Sequence, residues 1–267
     1  MGIEIAPTLL ETDQHVVVIS PHLDDGVLSC GALISTCRNA TVVTLFTGMP
    51  TALDISTAWD RECGFDSAEQ AVIARRDEDR LAMTALGARV RHLDCLDGQY
   101  LGTIDVGTDE AQLASALSVA LTELAPDVLV VPMGLFHSDH IRARRAWIRC
   151  SRSGVAATSR WVAYEDVPYR NIDASLQSAL HALYEAGFSA TPAQWHTIPK
   201  TGALPLPEKI PSHSRGNGLP RPRVQDIAAF QCKHTALHAY QSQLAALGAA
   251  ALADAFEPER FWAIGTR

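Results

Sequence analysis

The sequence has no long apolar run, no closely spaced cysteine pair and no excess of basic residues. A membrane-spanning helix needs about 18 or more consecutive apolar residues, and no such stretch occurs. The six cysteines are scattered without a C-x-x-C pair, which is typical of reduced thiols and argues against a disulfide framework. The acidic N-terminal region lacks the basic start of a secretory signal. These absences predict a cytoplasmic protein.

The charge balance is acidic, with 22 Lys and Arg against 30 Asp and Glu and a formal net charge of −8. Such a chain lacks the positive surface of a general nucleic-acid binder and the polybasic run that holds proteins on anionic membranes. We therefore expect neither nucleic acid nor a membrane as a partner. Hydrophobic residues make up 47% of the chain, enough for a sizeable core. A homo-oligomer is compatible with the sequence.

Strand-like and helix-like segments alternate over the first 165 residues. Short β-branched runs predict strands at residues 15–20, 40–46, 89–93, 127–131 and 160–164. Helical spacing predicts helices at residues 27–37, 67–86, 109–124 and 141–152. This alternation predicts an α/β fold, a Rossmann-like parallel sheet with helices on both faces. In one common arrangement the fourth strand returns beside the first, and ligands bind where those two strands end.

We expect a single domain over residues 1–267, built from a catalytic core at 15–165 and a C-terminal extension at 166–267. The extension is predicted to be irregular and helical and to cap the substrate. Its proline-rich part, residues 191–222, is predicted to be irregular or a lid. A long helical run follows from Val224 to Leu252.

Two motifs follow the first and fourth predicted strands. They are Pro21-His22-Leu23-Asp24-Asp25 and His137-Ser138-Asp139-His140. The predicted topology brings both motifs together, so that His22, Asp25 and His140 form a candidate metal site. Two imidazoles and one carboxylate suit one Zn²⁺ per chain and leave a coordination position for water, and Fe²⁺ or Mn²⁺ is compatible with the same ligands.

The remaining residues of the two motifs supply candidate catalytic groups. Asp24 stands beside the ligand Asp25 and is the candidate general base for a metal-activated water. His137 is the candidate donor to an oxyanion or acid for the leaving amine, and Asp139 is expected to support the site by orienting His137. The alternative interpretation is that the Asp pair only caps a helix and the histidines lie on a surface or in the core. The occurrence of both motifs at adjacent strand ends favours the metal site.

These motifs resemble those of the PIG-L/LmbE-like metal-dependent N-deacetylases. The first motif is similar to P-H-P-D-D-E and the second to H-P-D-H in that family. Further similarities lie in the helix around Arg75, in Asp97-Gly98 and in the late stretch from Lys233 to Gln243. The resemblance implies an LmbE-like zinc hydrolase that removes an acetyl or related acyl group from an amino sugar or its conjugate. It also implies the same metal ligands and the same roles for Asp24 and His137.

The chain departs from the family motifs at three positions. Leu23 replaces a proline, Gly26 replaces a glutamate, and Ser138 replaces the second motif's proline. None of these changes removes a predicted ligand. The loss of the glutamate removes any support that its side chain gives to the metal site. We therefore expect metal binding to persist with altered properties of the metal site.

Four further charged residues are candidate substrate contacts, two of them with a structural alternative. Arg75 is expected either to reach substrate hydroxyls or to lie on a solvated helix face. Asp97 is expected either to bind a hydroxyl or to form an Asp-Gly turn. Glu165 and Asp166 follow the fifth strand and are expected to contact the sugar.

The predicted substrate is a small soluble amino-sugar metabolite of thiol-cofactor or antibiotic (aminoglycoside or glycopeptide) biosynthesis. Two alternatives from other classes are a nucleotide- or S-adenosylmethionine-binding Rossmann transferase and a non-catalytic binding protein. The first turn lacks the G-x-G-x-x-G motif, and its two adjacent acids would repel a phosphate. The intact histidines and aspartates of both motifs argue against a non-catalytic protein.

Overall fold

A computed structural model describes residues 7–11, 13–102, 106–167, 169–198 and 224–267. Eight strands in these ranges form one sheet: β1 (Pro7–Glu11), β2 (Val16–Ser20), β3 (Ala40–Thr44), β4 (Arg89–His92), β5 (Val128–Pro132), β6 (Arg160–Tyr164), β7 (Phe188–Ile198) and β8 (Phe261–Thr266). Their order across the sheet is β1-β7-β8-β6-β5-β2-β3-β4.

The strands from β4 through β3, β2 and β5 to β6 are parallel and correspond to the five predicted strands. β2 pairs with β3 on one side and with β5 on the other, where Val18 lies opposite Val130. The chain therefore reverses direction across the sheet between β2 and β5, as predicted. This topological switch point is where open α/β sheets bind their ligands.

Helices cover both faces of the sheet. Eight α-helices are described: α1 (Asp25–Thr36), α2 (Ala58–Glu62), α3 (Ala68–Leu86), α4 (Val106–Leu124), α5 (Ser138–Arg152), α6 (Ser175–Glu185), α7 (Val224–Leu237) and α8 (Gln241–Ala255). Successive residues of β2 alternate between two cores. Val16 and Val18 pack in the core formed with α1, α3, α7 and α8, and Val17 and Ile19 pack in the core formed with α4, α5 and α6. The predicted two-faced α/β fold is confirmed.

Helix α3 begins and ends at the predicted residues. The Ser67 side chain accepts a hydrogen bond from the Gln70 backbone N–H at 3.2 Å, and Gly87 closes the helix with a φ of +68°. The Gln70 side chain in turn accepts a hydrogen bond from the N–H of Asp66 at 3.3 Å. Glycine suits the closing position because a side chain is strained at positive φ. This helix carries Arg75 toward the ends of the parallel strands.

The C-terminal extension contains strands as well as helices, which corrects the prediction of an irregular and helical cap. β8 runs antiparallel to both β6 and β7, so the extension continues the sheet of the core. Residues 191–198 belong to β7 rather than to an irregular segment, and residues 199–222 lie outside the described ranges. The predicted helix from Val224 to Leu252 is divided into α7 and α8, and Gly248 breaks α8 internally with a φ of +75°. The division into a core at 15–165 and a cap at 166–267 stays a prediction.

All six cysteines are free thiols, of which Cys30, Cys37 and Cys150 are buried and Cys232 is exposed. None of the described helices combines the length and the apolar character that crossing a bilayer requires.

Candidate active site

The two sequence motifs meet where β2 and β5 end. β2 ends at Ser20 and leads through His22 into α1, and β5 ends at Pro132 and leads to α5, which starts at Ser138. Because these strands are adjacent and parallel, their following loops lie side by side at one edge of the sheet. The arrangement brings His22, Asp25 and His140 together, as the sequence predicted.

The ligand atoms of these three residues converge on one point. One donor atom from each of His22, Asp25 and His140 lies within 4.8 Å of the other two. Oδ2 of Asp25 is 3.0 Å from Nδ1 of His22 and 3.0 Å from Nε2 of His140. Two imidazole nitrogens and one carboxylate oxygen at this spacing match the ligand set of a catalytic zinc site with an open position.

His140 provides the test of whether a metal fits these residues. Its ring is fully buried, and Nδ1 lies 2.6 Å from Oδ1 of Asp166. Nε2 is buried and makes no hydrogen bond in the described residues, although Asp25 is near. A buried polar nitrogen without a partner is costly, and a cation bound to it removes that cost. A carboxylate that accepts the Nδ1–H leaves the Nε2 lone pair free to bind a metal, as is common for histidine ligands.

Asp139 orients His22, which corrects the prediction that it orients His137. Oδ2 of Asp139 lies 3.1 Å from Nε2 of His22 and accepts the Gly98 N–H at 3.0 Å. Nη1 of Arg142 donates to the other oxygen of Asp139 at 2.5 Å. The Asp139 side chain therefore fixes the Nε2–H tautomer of His22 and leaves Nδ1 as its metal-facing nitrogen. The sequence spacing favoured His137 as the partner of Asp139. Spacing alone did not show that the start of α5 turns the Asp139 side chain toward β2.

A second group of candidate ligands consists of His22, His137 and Asp139, and it shares one residue with the first. Two observations favour the first group. The Asp139 carboxylate is already engaged by two hydrogen-bond donors besides His22, from Gly98 and Arg142. In the first group, by contrast, the ring nitrogens of His22 and His140 both lie 3.0 Å from Oδ2 of Asp25, and Nε2 of His140 makes no regular hydrogen bond in the described residues.

The electrostatics of the cluster suit a bound cation. Burial lowers the pKa of His140, but the Asp25 and Asp166 carboxylates outweigh burial and raise it to about 9. Burial raises the pKa of Asp25, but the His140 and His22 imidazoles hold it well below its usual range. Asp25 is thus ionised at neutral pH, and it stabilises positive charge where the ligand atoms meet.

Asp24 is positioned as the helix N-cap but does not act as one. It is the N-cap residue of α1 by position, yet its side chain makes no capping hydrogen bond. Burial and the neighbouring Asp25 charge raise the pKa of Asp24 to about 6. The alternative interpretation, in which the Asp pair only caps a helix, requires a capping hydrogen bond that the Asp24 side chain does not make. Asp24 lines the cavity beside the metal-ligand cluster, where a base is needed.

His137 lies opposite His22 in the same cavity. The backbone N–H of Asp139 donates to Nδ1 of His137 at 3.3 Å, so that the ring proton of a neutral His137 is on Nε2. Burial, together with His22 and His140, lowers the pKa of His137. His137 is therefore neutral at pH 7 and has one N–H available as a hydrogen-bond donor.

The cavity above these groups has a volume of about 450 Å³. Its lining includes two of the predicted substrate contacts, Arg75 and Asp97. Arg75 is buried rather than solvated, its Nη1 lies 3.8 Å from Oδ2 of Asp97, and its Nε makes no hydrogen bond in the described residues. Asp97 also accepts the Gln99 N–H and so caps the short 3₁₀ helix at Gly98–Tyr100. The predicted turn at Asp97 is present, and the side chain also lines the cavity, so its contact with substrate stays a prediction.

Contrary to the prediction, Glu165 and Asp166 do not line the cavity. Glu165 is buried between β6 and β8, where it accepts hydrogen bonds from Arg260 and from Nε1 of Trp262. Asp166 is fully buried behind His140 and also accepts the N–H groups of Gly134 and Leu135. Both carboxylates are directed into the protein because partners there satisfy them.

Some cavity residues were not identified from the sequence as site residues. Tyr169, Gln243 and Leu247 line the cavity. Gln243 ends the late motif that carried the family resemblance, and its Oε1 accepts from Nε1 of Trp59 at 3.2 Å. That motif was therefore an available signal for Gln243. Tyr169 lies on a short 3₁₀ helix. This segment has no periodicity from which Tyr169 could have been predicted.

A glutamate at Gly26, as in the family motif, would crowd its neighbours. A Cβ atom on Gly26 would lie 3.2 Å from Oγ of Ser20 and 3.3 Å from Cγ1 of Val42. The Gly26 N–H donates to that Ser20 hydroxyl at 2.8 Å. The Ser20 hydroxyl in turn donates to the His22 carbonyl at 2.5 Å. Ser20 thus occupies part of the space beside the first motif and supports the loop that presents His22.

The fold and site define a Rossmann-like α/β protein with an imidazole–carboxylate cluster at its switch point. The sequence model of the family described as GlcNAc-PI de-N-acetylase, PIG-L, matches residues 17–151, just over half of the chain. The chain belongs to the PIG-L family, which confirms the predicted family and supports its N-deacetylase class. No curated protein matches the sequence.

Solved structures of deacetylases share the fold over nearly the whole chain. The A40926 pseudoaglycone deacetylase Dbv21 is 24% identical with a TM-score of 0.63, and the match covers 95% of this chain and 98% of that one. The zinc-inhibited form of teicoplanin deacetylase Orf2 is 22% identical with a TM-score of 0.64 and the same coverage. A deacetylase–teicoplanin complex is 19% identical with a TM-score of 0.61, covering 95% of this chain and 99% of the other.

Proposed function

We propose that the protein is a zinc-dependent hydrolase that removes an N-acetyl or related acyl group from an amino sugar or amino-sugar conjugate. The observation that carries the proposal is the convergence of His22, Asp25 and the buried Nε2 of His140 beside Asp24. Membership of the PIG-L family supplies the reaction class. Fe²⁺ and Mn²⁺ are compatible with the same ligands.

The metal ligands in this proposal are His22 through Nδ1, Asp25 through Oδ2 and His140 through Nε2. Asp139 and Asp166 hold the two imidazoles in the tautomers that direct these nitrogens to the metal. When bound, a divalent cation lowers the pKa of a water ligand and polarises the acyl carbonyl.

The protein groups around the metal ligands perform the proton transfers. Asp24 accepts the proton of the attacking water, and its pKa of about 6 leaves it largely ionised at neutral pH. Nε2–H of His137 donates to the oxyanion as the carbonyl carbon becomes tetrahedral. Asp24 or His137 then delivers a proton to the departing amine. Acetate and a free amino sugar are the products.

Substrate binding in this proposal uses the polar wall of the cavity. Arg75 has an unused donor at Nε, and its Nη1 lies 3.8 Å from the Asp97 carboxylate, so that the two side chains together suit sugar hydroxyls. The similar structures include deacetylases of glycopeptide antibiotic pathways, and we extend that substrate class, or a thiol-cofactor or aminoglycoside precursor, to this chain. An amine product carries positive charge, which the side chains of Asp24 and Asp97 at the cavity wall accommodate.

We also propose that the protein acts in the cytoplasm on a small soluble metabolite, with residues 166–267 forming part of the substrate cap. The free state of all six cysteines suits a reducing compartment. Gln243 and Leu247 of α8 line the cavity, which supports a role for the extension in enclosing substrate.

The test measures acetate release from N-acetylated amino sugars by the purified protein with Zn²⁺ restored, together with its metal content. We expect Asp24→Asn to reduce kcat by about 100-fold or more, because a general base contributes factors of this order, while metal content is unchanged. Asp77→Asn, which alters an exposed aspartate on α3, is the matched control and should retain full activity. Full activity of Asp24→Asn at normal metal content would disprove the base assignment. A protein without stoichiometric metal would favour the Rossmann transferase or the binding protein.

A further inference from the structure

Phe136 is held in an unfavourable conformation directly before His137. Its φ is +53°, and the His137 N–H donates to the Leu135 carbonyl at 2.6 Å, which closes a three-residue γ-turn around Phe136. A γ-turn with positive φ is rare and strained for a residue with a side chain. The Phe136 side chain is also 62% exposed. Strain of this kind persists where the surrounding structure imposes it and is concentrated at ligand-binding sites.

The loop around Phe136 is fixed from within the protein. Asp166 accepts the N–H groups of Gly134 at 2.8 Å and Leu135 at 3.1 Å. Nη1 of Arg144 donates to the Gly134 carbonyl at 2.9 Å. These bonds hold the two residues that precede Phe136, so the exposed position of its ring follows from a rigid loop.

Phe136 and Tyr169 form a continuous aromatic platform that leads from the cavity to the surface. The Phe136 and Tyr169 rings stack with centroids 6.1 Å apart and an interplanar angle of 30°. Tyr169 in turn stacks on His137 at 5.6 Å and 20°. Tyr169 lines the cavity, whereas Phe136 lies beyond it. The next residue after Tyr169, Arg170, is buried and bonded to Asp254, which anchors the platform to α8.

We propose that this platform binds an aromatic group of the substrate that extends out of the cavity. The inference rests on the proposed N-deacetylase function and specifies its substrate class as an amino sugar that carries an aromatic substituent. Flat rings in near-parallel orientation offer offset stacking to another ring, worth about two- to tenfold in affinity. The aromatic group belongs either to the aglycone of the sugar or to its N-acyl group, and the two sources share this chemistry.

The experiment compares substrates that differ only in the aromatic group. The methyl and phenyl β-glycosides of N-acetylglucosamine test the aglycone, and the methyl glycoside of N-benzoylglucosamine tests the acyl group. We expect Phe136→Ala to lower kcat/KM about two- to tenfold for at least one aromatic substrate, through KM, and to leave the methyl glycoside of N-acetylglucosamine unchanged. Phe136→Tyr should restore the aromatic preference. Tyr184→Ala removes a comparably exposed aromatic ring on α6 and should leave kcat/KM unchanged for all three substrates.

Two results would overturn the platform. One is an unchanged kcat/KM of Phe136→Ala for every substrate, and the other is an equal loss for all of them, which would make Phe136 a structural support of His137. Calorimetric binding of phenyl β-glucosaminide to wild type and Phe136→Ala tests the platform without turnover. Binding that depends on Phe136 in a protein that releases no acetate would refute the proposed function alone. Acetate release without any aromatic preference would refute the platform alone.

Discussion

Replacing Asp166 with asparagine tests how the protein prepares His140 for a metal. The carboxylate is fully buried, with Oδ1 at 2.6 Å from Nδ1 of His140 and Oδ2 accepting two backbone N–H groups. Asparagine has nearly the same shape but only one acceptor oxygen. If that oxygen keeps the backbone bonds, the amide NH₂ faces Nδ1 and favours the tautomer with its proton on Nε2. That proton then occupies the position where the metal binds.

The opposite orientation of the asparagine amide is no better. Its oxygen would accept from His140, but its NH₂ would face the N–H groups of Gly134 and Leu135. Loss of a carboxylate that supports a histidine ligand typically weakens metal binding 10- to 100-fold. We therefore expect Asp166→Asn to raise the zinc dissociation constant by about this factor, or about 1.4–2.7 kcal/mol.

The assay is a competition titration of the metal-free protein with a chelator of known zinc affinity. Asp173→Asn, at an exposed aspartate in the same region, is the matched control and should bind zinc like wild type. Urea unfolding of each metal-free variant separates a loss of affinity from a loss of folded protein. A dissociation constant within twofold of wild type for Asp166→Asn would show that Asp166 does not control the metal-binding nitrogen of His140.

Two further predictions concern buried polar contacts that hold the site. Arg142 is buried between Asp109 and Asp139, so Arg142→Met should leave two carboxylates without their cation and lower the free energy of unfolding by about 3–5 kcal/mol in urea titrations. Tyr240 is buried and donates from its hydroxyl to Asp79 at 2.7 Å, so Tyr240→Phe should lower the free energy of unfolding by about 1.5–3 kcal/mol in the same assay.

Surface residues of the same types provide the controls for both substitutions. Arg145 pairs with Glu110 while its own side chain is 56% exposed, and Arg145→Met should cost less than about 1 kcal/mol. Tyr184 is exposed, and Tyr184→Phe should leave the free energy of unfolding nearly unchanged. If the buried and exposed substitutions lowered the free energy of unfolding equally, the contacts of Arg142 and Tyr240 would not be the stabilising contacts inferred here.

The parallel part of the sheet was predictable because its signal is local. Each buried strand is a short run of β-branched residues, and the helices between them impose parallel pairing. The partners of β8 were not predictable in this way. Trp161 pairs with Ile264, about 100 residues later in the chain, and local composition contains no information about such pairing.

The candidate site shows the same division between local and distant information. His22 and His140 were predictable because each directly follows a strand at the switch point. Glu165 and Asp166 also follow a strand, but the sequence did not show which way their side chains point. Asp166 meets the His140 ring, whereas Glu165 meets Trp262 of β8. Those partners come from distant parts of the chain, and only the assembled sheet determines which carboxylate supports the site.

The position of β8 has a consequence for the order of folding. β8 is the last strand in the described chain, yet it lies between β6 and β7. β7 therefore has no link to the parallel sheet until β8 has paired with both neighbours. Closing so long a loop is entropically costly and slow. We expect the parallel strands to collapse first and the C-terminal strand to join them in a late, slow phase, leaving the β6 edge open to wrong partners until then.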